Sequence, residues 1–530
     1  MFRKALLATA IPLAFYATSV PAAVTISTAA TQNMSCSSGT CVPTATKAVL
    51  NTGDLETMLV SGNATVTTTG SGVQANDITV SAGFSWSTSN TLALVANRAI
   101  TVGAKVSVKG MGGLTLTDDG GVASLAFPGG SAAFANLSSP LTINGTAYTL
   151  VNKISALARA ILANPSGAFA LAKNYDAEKD GTYSAPPIST TFTGTFEGLG
   201  NTISNLSISD PSRTEVGFFA IIDGGSVHDI GFKSANVSTT ATFTLLGVLA
   251  GYVEGADVVG SNYSGVVTGS WASGSVSATA STYGQVGGLL GSTCNSGAGY
   301  EPDAVLGSHA SVNIAVGQNM FAGGLVGYSC GSGMVEDSYA TGTVTAGDGS
   351  YVGGLIGGST ATVDESFATG SASTGNANTS SPPPAAGGLV GYNYGVDSFP
   401  GTITNSYSTG AATGGRGTNV GGLVGYSLDG TISDSWSGGA PSAGSGSYVG
   451  GFIGDDNSAI LTDTYWDTDT SGITNLSESA GNISNAAGIT GLSTAQLQSG
   501  LPKGFSKKIW KEKSGINNGL PYLIANPPPK

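Results

Sequence analysis

Eight times between Val216 and Asp456 the chain returns to one short phrase of glycines and apolar residues. The copies read VGFFAII from Val216, GVLAGY from Gly247, VGGLLGS from Val286, AGGLVGYS from Ala322, VGGLIGGS from Val352, AGGLVGYN from Ala386, VGGLVGYS from Val420 and VGGFIGDD from Val449. Taking the central Leu or Phe at 219, 249, 289, 325, 355, 389, 423 and 452, the intervals are 30, 40, 36, 30, 34, 34 and 29 residues. A unit of this length cannot bury an apolar face alone and does so by stacking on its neighbours, which is how a solenoid is built. A phosphate-binding glycine loop would occur once, and no copy here opens an amphipathic helix or has a following Lys.

A second element follows in most repeats: VEDSYATGTV, VDESFATGSA, ITNSYSTGAA, ISDSWSGGAP and LTDTYWDTDTSG. Each runs from an apolar residue through Asp, Glu or Asn to an aromatic, then to small residues. Short β-segments divided by Gly, Ser and Asn turns, about 30 residues per cycle, predict an all-β fold, a right-handed parallel β-helix. Paired glycines without a Cβ let one coil lie close on the next. The slot held by Asp337, Glu365, Asn405, Asp434 and Asp463 is expected at a corner facing water, because carboxylates stacked one strand apart repel when buried together.

The expected plan has five parts. Residues 1–23 read as a signal peptide, with Arg3 and Lys4 before an apolar stretch and small residues at Ala22 and Ala23. Residues 24–151 form an N-terminal β-helical region, which from Ala64 to about Val151 alternates apolar and polar positions in short runs. Residues 152–190 hold a short helix in NKISALARAILANP, stopped before Pro165, and a loop connector. The repeat array spans 191–473, and 474–530 forms a C-terminal cap, needed because an open solenoid end exposes unpaired strand edges. No run after the leader is long and apolar enough to cross a membrane.

Charge narrows the function. The 530-residue chain has 81 Gly, only 10% charged residues and a net charge of −13, so it lacks the Lys and Arg clusters that phosphate backbones require and excludes a nucleic-acid binder. The one basic cluster, Lys503, Lys507, Lys508, Lys511 and Lys513, reads as a solvated edge. The two histidines, His228 and His309, have no nucleophile elbow beside them, so no catalytic residue is assigned.

Two constellations remain. DTDTSG from Asp467, read on to Glu478, has the spacing of a calcium loop and makes Asp467, Asp469, Ser471 and Glu478 the candidate ligands. Against it, position eight is Thr474 and no helices flank the loop. Calcium is the one cofactor admitted. Cys294 and Cys330 each lie five residues after their repeat's central Leu, so in-register coils place them one strand spacing apart, inside the window for a disulfide. Cys36 and Cys41 are expected to close a small loop.

At GGLVG, GGLIG and GGFIG the chain resembles GLUG-motif repeat proteins, and Asp77–Gly120 is similar to filamentous-haemagglutinin-type β-helix sequence. FTGTFEGLGNTISNLSI from Phe192 looks like the start of such an array, and YWDTDTSG and GINNGLPYL look like its usual endings. The resemblance implies a secreted or surface-displayed bacterial protein, Gram-negative in type, acting as an adhesin on an extended host, cell or polysaccharide partner and not as an enzyme. The alternatives are a carbohydrate-active β-helix enzyme, which needs converging Asp and Glu groups, and a structural matrix subunit.

Overall fold

The computed structural model of the chain describes residues 22–70, 73–121, 123–255, 265–294, 303–378, 382–396 and 399–529. The expected leader thus falls almost wholly outside the described residues, while Ala22 and Ala23 begin the first strand, Ala22–Ser27. The chain is a parallel β-helix: strands of successive coils pair in parallel register along several long sheets, as the repeat implied.

An N-terminal unit forms the first coils. Val24 pairs with Ala48 and Ile78, and Ile78 with Ile100, so identical positions of neighbouring coils meet and bury their aliphatic side chains together. Helix α1, Thr52–Ser61, interrupts these coils; Asn51 caps it by accepting from the backbone N–H of Gly53, and Leu55 and Leu59 enter the core. Helix α2, Ile154–Ala163, stands before Pro165 and buries Ile154, Leu157 and Ile161. Thr146–Val151 pairs antiparallel with Leu141–Ile143 and parallel with Ala168–Leu171, so one sheet runs from the N-terminal unit into the array.

In the array, the central residues of the glycine phrases form a fully buried column. Leu325 N–H donates to Leu355 O, Leu355 to Leu389, Leu389 to Leu423 and Leu423 to Phe452, at 2.8–2.9 Å. The column starts at Phe219, whose N–H donates to Leu249 O at 2.8 Å, although its Cα is paired with Ala250 because the first copy is one residue shorter there. The glycines allow close approach. A Cβ on Gly354 would stand 2.1 Å from the carbonyl oxygen of Gly388 and 2.9 Å from the Cβ of Ala368. The intervals of 40 and 36 residues hold their extra length between Glu254 and Gly265 and between Cys294 and Asp303, mostly outside the described residues.

The second element is a corner of three residues, each with its own column. Asp337, Glu365, Asn405, Asp434 and Asp463 have φ of 42–50°, the left-handed region that Asx residues and Gly tolerate best. The same column continues upstream through Gly307, Gly269 and Asp229, also at positive φ. Next comes a fully buried serine in coil after coil. Ser308 N–H donates to Ser338 Oγ, Ser338 N–H to Ser366 Oγ and Ser406 N–H to Ser435 Oγ, each at 3.1 Å, and each hydroxyl returns its proton to a carbonyl two residues back. This zipper satisfies backbone donors that the corner would otherwise bury unpaired.

The third column is aromatic: Trp271, His309, Tyr339, Phe367, Tyr407 and Trp436, with neighbouring rings 4.6–5.9 Å apart and within 8° of parallel. It begins over Gly231, where a Cβ would strike the Trp271 indole. One residue further along, small side chains such as Ala340, Ala368, Ser408 and Ser437 line the interior until Trp466 takes the position in the last coil and fills it, its ring over Gly451.

Residues 475–492 lie against this last coil, with Phe452 donating to Ser479 and Thr464 pairing with Ile489. The chain then folds back along the outside. Leu497, Phe505, Trp510, Leu520 and Leu523 pack on Phe367, Tyr407, Trp436 and Tyr465 and bury the aromatic column. Among the described residues no helix is long and apolar enough to cross a membrane.

Candidate functional site

The N-terminal unit, the first array coils and the end of the C-terminal strap meet along one outer face of the solenoid. Its floor is the outward row Glu197, His228, Thr268, Leu306 and Glu336, one residue from each of five coils in register. Residues 118–130 of the N-terminal unit wall it on one side, and Ala525 and Asn526 reach it from the strap. Two hollows of about 630 and 820 Å³ share Ala123, Leu125 and Thr268, and so form one groove. At strand spacing, five coils extend over roughly 19 Å.

The groove gathers carboxylates. Glu197 is 3% exposed and accepts from Leu199 N–H at 2.7 Å; burial, and then the nearby Asp229, hold its pKa well above the usual range. Asp229 accepts from Phe127 N–H at 3.2 Å, tying the wall to the floor, and burial pushes its pKa up to about 7. Asp118 takes the Ser124 hydroxyl on Oδ1, while its buried Oδ2 has no hydrogen-bond partner. His228 Nδ1 lies 2.8 Å from Thr268 Oγ1, and burial lowers its pKa to about 4, so the ring is neutral. Tyr148, beside Glu197, is raised by burial and by that charge.

His228 has no nucleophile elbow beside it in the sequence, but the groove brings it together with Glu197, Tyr148 and Asp118. A signal for Asp229 was present, since VHDIG repeats the apolar, any, acid spacing of VEDSY with Gly231 in the aromatic place. Asp118 and Tyr148 carried none, because they meet the array only through the packing of the two units. His309 is a ring of the aromatic column, stacked between Trp271 and Tyr339.

Asp467 is fully buried and its oxygens accept from Asp469 N–H, Thr470 N–H and the Thr494 hydroxyl. Asp469 accepts from Thr494 N–H, Ser471 Oγ from Ile473 N–H, and exposed Glu478 from Asn475. These four residues serve local turns and the start of the strap; among the described residues no three His, Cys, Asp or Glu groups are arranged to hold a metal. Cys294 pairs in register with Cys330, Cα atoms 4.6 Å apart, and Cys36 with Cys41 across a hairpin, Cα atoms 4.1 Å apart; both pairs are disulfides. Lys503 reaches Asp463 at 2.9 Å, and the other four lysines of the strap are exposed.

Stacked coils closed by glycine-rich phrases and pinned by disulfides define an extracellular type of β-helical repeat protein. The family model described as the GLUG motif matches residues 319–345 and 383–413, so these segments of the array are GLUG-motif repeats. No curated protein matches it. Among solved structures, it is similar to a Bacteroides ovatus protein carrying the provisional name immunoglobulin A1 protease, at 18% identity and a TM-score of 0.38, over 72% of this chain and 92% of that one.

Proposed function

We propose that the chain is a secreted or surface-displayed, adhesin-like β-helical protein of a Gram-negative bacterium, exported by its N-terminal leader, that lays an extended partner along the junction groove. The observation that supports this reading is the groove's direction: it follows the solenoid axis across five coils, and segments remote in sequence, 118–130 and 525–526, help to line it. A linear site of this kind accumulates many modest contacts along a polymer, and interfaces between structural units are common places for binding sites.

The test is binding of residues 24–530 to intact cells and to arrayed host glycans and matrix proteins, beside Ala123→Trp. Ala123 is exposed and lines both hollows, so the indole fills the groove without entering the core. Binding lost in Ala123→Trp supports the reading; binding unchanged by it refutes the groove as the site. Cleavage of a bound polymer would replace it with a carbohydrate-active enzyme, a reading favoured by the buried neighbours Glu197 and Asp229.

A further inference from the structure

The lining of the groove narrows the chemistry of its partner. Among the described residues six carboxylates, Asp118, Asp119, Glu197, Asp229, Glu336 and Asp337, line it, and no Lys or Arg does. A carboxyl group offers hydrogen-bond acceptors in either protonation state, and those of the six that are ionised repel sulfated, phosphorylated or uronic polymers. Between the acids lie apolar surfaces, Leu125, Val266, Leu306 and Trp271 among them.

Asp118 is the second, independent sign. It is 7% exposed, and its Oδ2 has no donor although the residue lines the hollow. A buried carboxylate oxygen without a donor is costly, and a ligand hydroxyl removes that cost. Glu197 is arranged in a similar way: one oxygen is spent on Leu199 N–H inside the fold, and the residue borders the same hollow. Hydroxyl donors alternating with C–H faces are what a sugar chain offers to alternating acids and apolar side chains.

We propose that the groove binds an uncharged polysaccharide, with Asp118 Oδ2 and the Glu197 carboxyl as its principal hydroxyl acceptors. This rests on the reading of the groove as the site of an extended partner.

The experiment is titration calorimetry of residues 24–530 with a soluble glucan, a galactan and a mannan, and with polygalacturonate and heparin. Asp118→Asn and Glu197→Gln keep the oxygens that accept from Ser124 and Leu199 and change only the acid, so each is expected to fold, checked by circular dichroism and melting. At least one neutral polymer should bind, the acidic ones should not, and each variant should weaken binding about tenfold or more, in line with the loss of a hydrogen bond to a buried carboxyl. Preference for an acidic polymer, or wild-type affinity in both folded variants, overturns the proposal. Binding to cell-surface or matrix protein alone, still blocked by Ala123→Trp, overturns it while leaving the extended-partner reading in place. Binding to nothing overturns both.

Discussion

The indole of Trp436 lies flat on the phenol of Tyr407 one coil below, ring centroids 5.3 Å apart and 2° from parallel, and Trp510 of the C-terminal strap packs on the same phenol at 6.0 Å. The aromatic column is thus both a spine of the array and the dock for the strap.

Trp510→Ala removes a nearly fully buried side chain, and large-to-small changes of this kind cost about 3–5 kcal/mol. The loss falls on the docking of the strap. Limited proteolysis should therefore cut within 493–526 in the variant while the coils stay resistant; simultaneous digestion of strap and array would show that the two unfold as one unit.

Gly354→Ala brings a Cβ within 2.1 Å of a backbone carbonyl on the next coil, and neither chain can yield without breaking register. The expected cost is about 3 kcal/mol or more. Gly62→Ala meets nothing within 4 Å and should shift stability by less than about 0.5 kcal/mol. Chemical denaturation of the two variants compares them directly.

Ser366→Ala removes the Oγ that accepts from Ser338 N–H and leaves that buried donor unpaired, at a cost of about 1–3 kcal/mol. Hydrogen exchange at Ser338 should accelerate by more than at sites elsewhere in the array.

Burial raises Asp229, Asp303 and Glu365 each to about 7, with the charges of Asp337, Asp364 and Glu336 adding to the effect at Glu365. The folded chain then holds more protons on these groups than the unfolded one between about pH 4 and pH 7, so their contribution to stability is greatest below that window and is lost as pH rises through it. His228 and His309, lowered to about 4 by burial, act in the opposite sense up to about pH 6.5, which makes the fall steepest just below and around neutrality. Melting curves should show Tm dropping across this range, and Asp303→Asn, which removes a buried carboxylate, should flatten part of the drop. A Tm that rises from pH 6.5 to pH 8 contradicts this assignment.

Periodicity carried most of the array. Leu355 and Leu423 are in register because the spacing of their glycine phrases mirrors the coil, and Cys294 and Cys330 could be paired from that spacing alone. Ser338 and Ser366 stand between acid and aromatic with nothing in the sequence to mark their role, since a hydrogen bond to a backbone 28 residues away has no local signature. Helix α1 lies in a region expected to be all strand, because it is short and only Leu55 and Leu59, four apart, mark its buried face. The path of the strap was hidden for the same reason as the groove: Trp510 meets Tyr407 and Asp229 meets Phe127 across about a hundred residues, contacts that arise only once both coiled units exist.

The central claim, that an extended partner lies in the groove between the two units, is tested most directly by hydrogen exchange on residues 24–530 with and without the polymer or surface extract that binds them. Protection is expected at 118–130, 195–200, 226–231 and 266–271, the walls and floor of the groove. Protection confined to the stacked tyrosines of another flank, Tyr351, Tyr392 and Tyr426, with the groove exchanging as in the free protein, would contradict it.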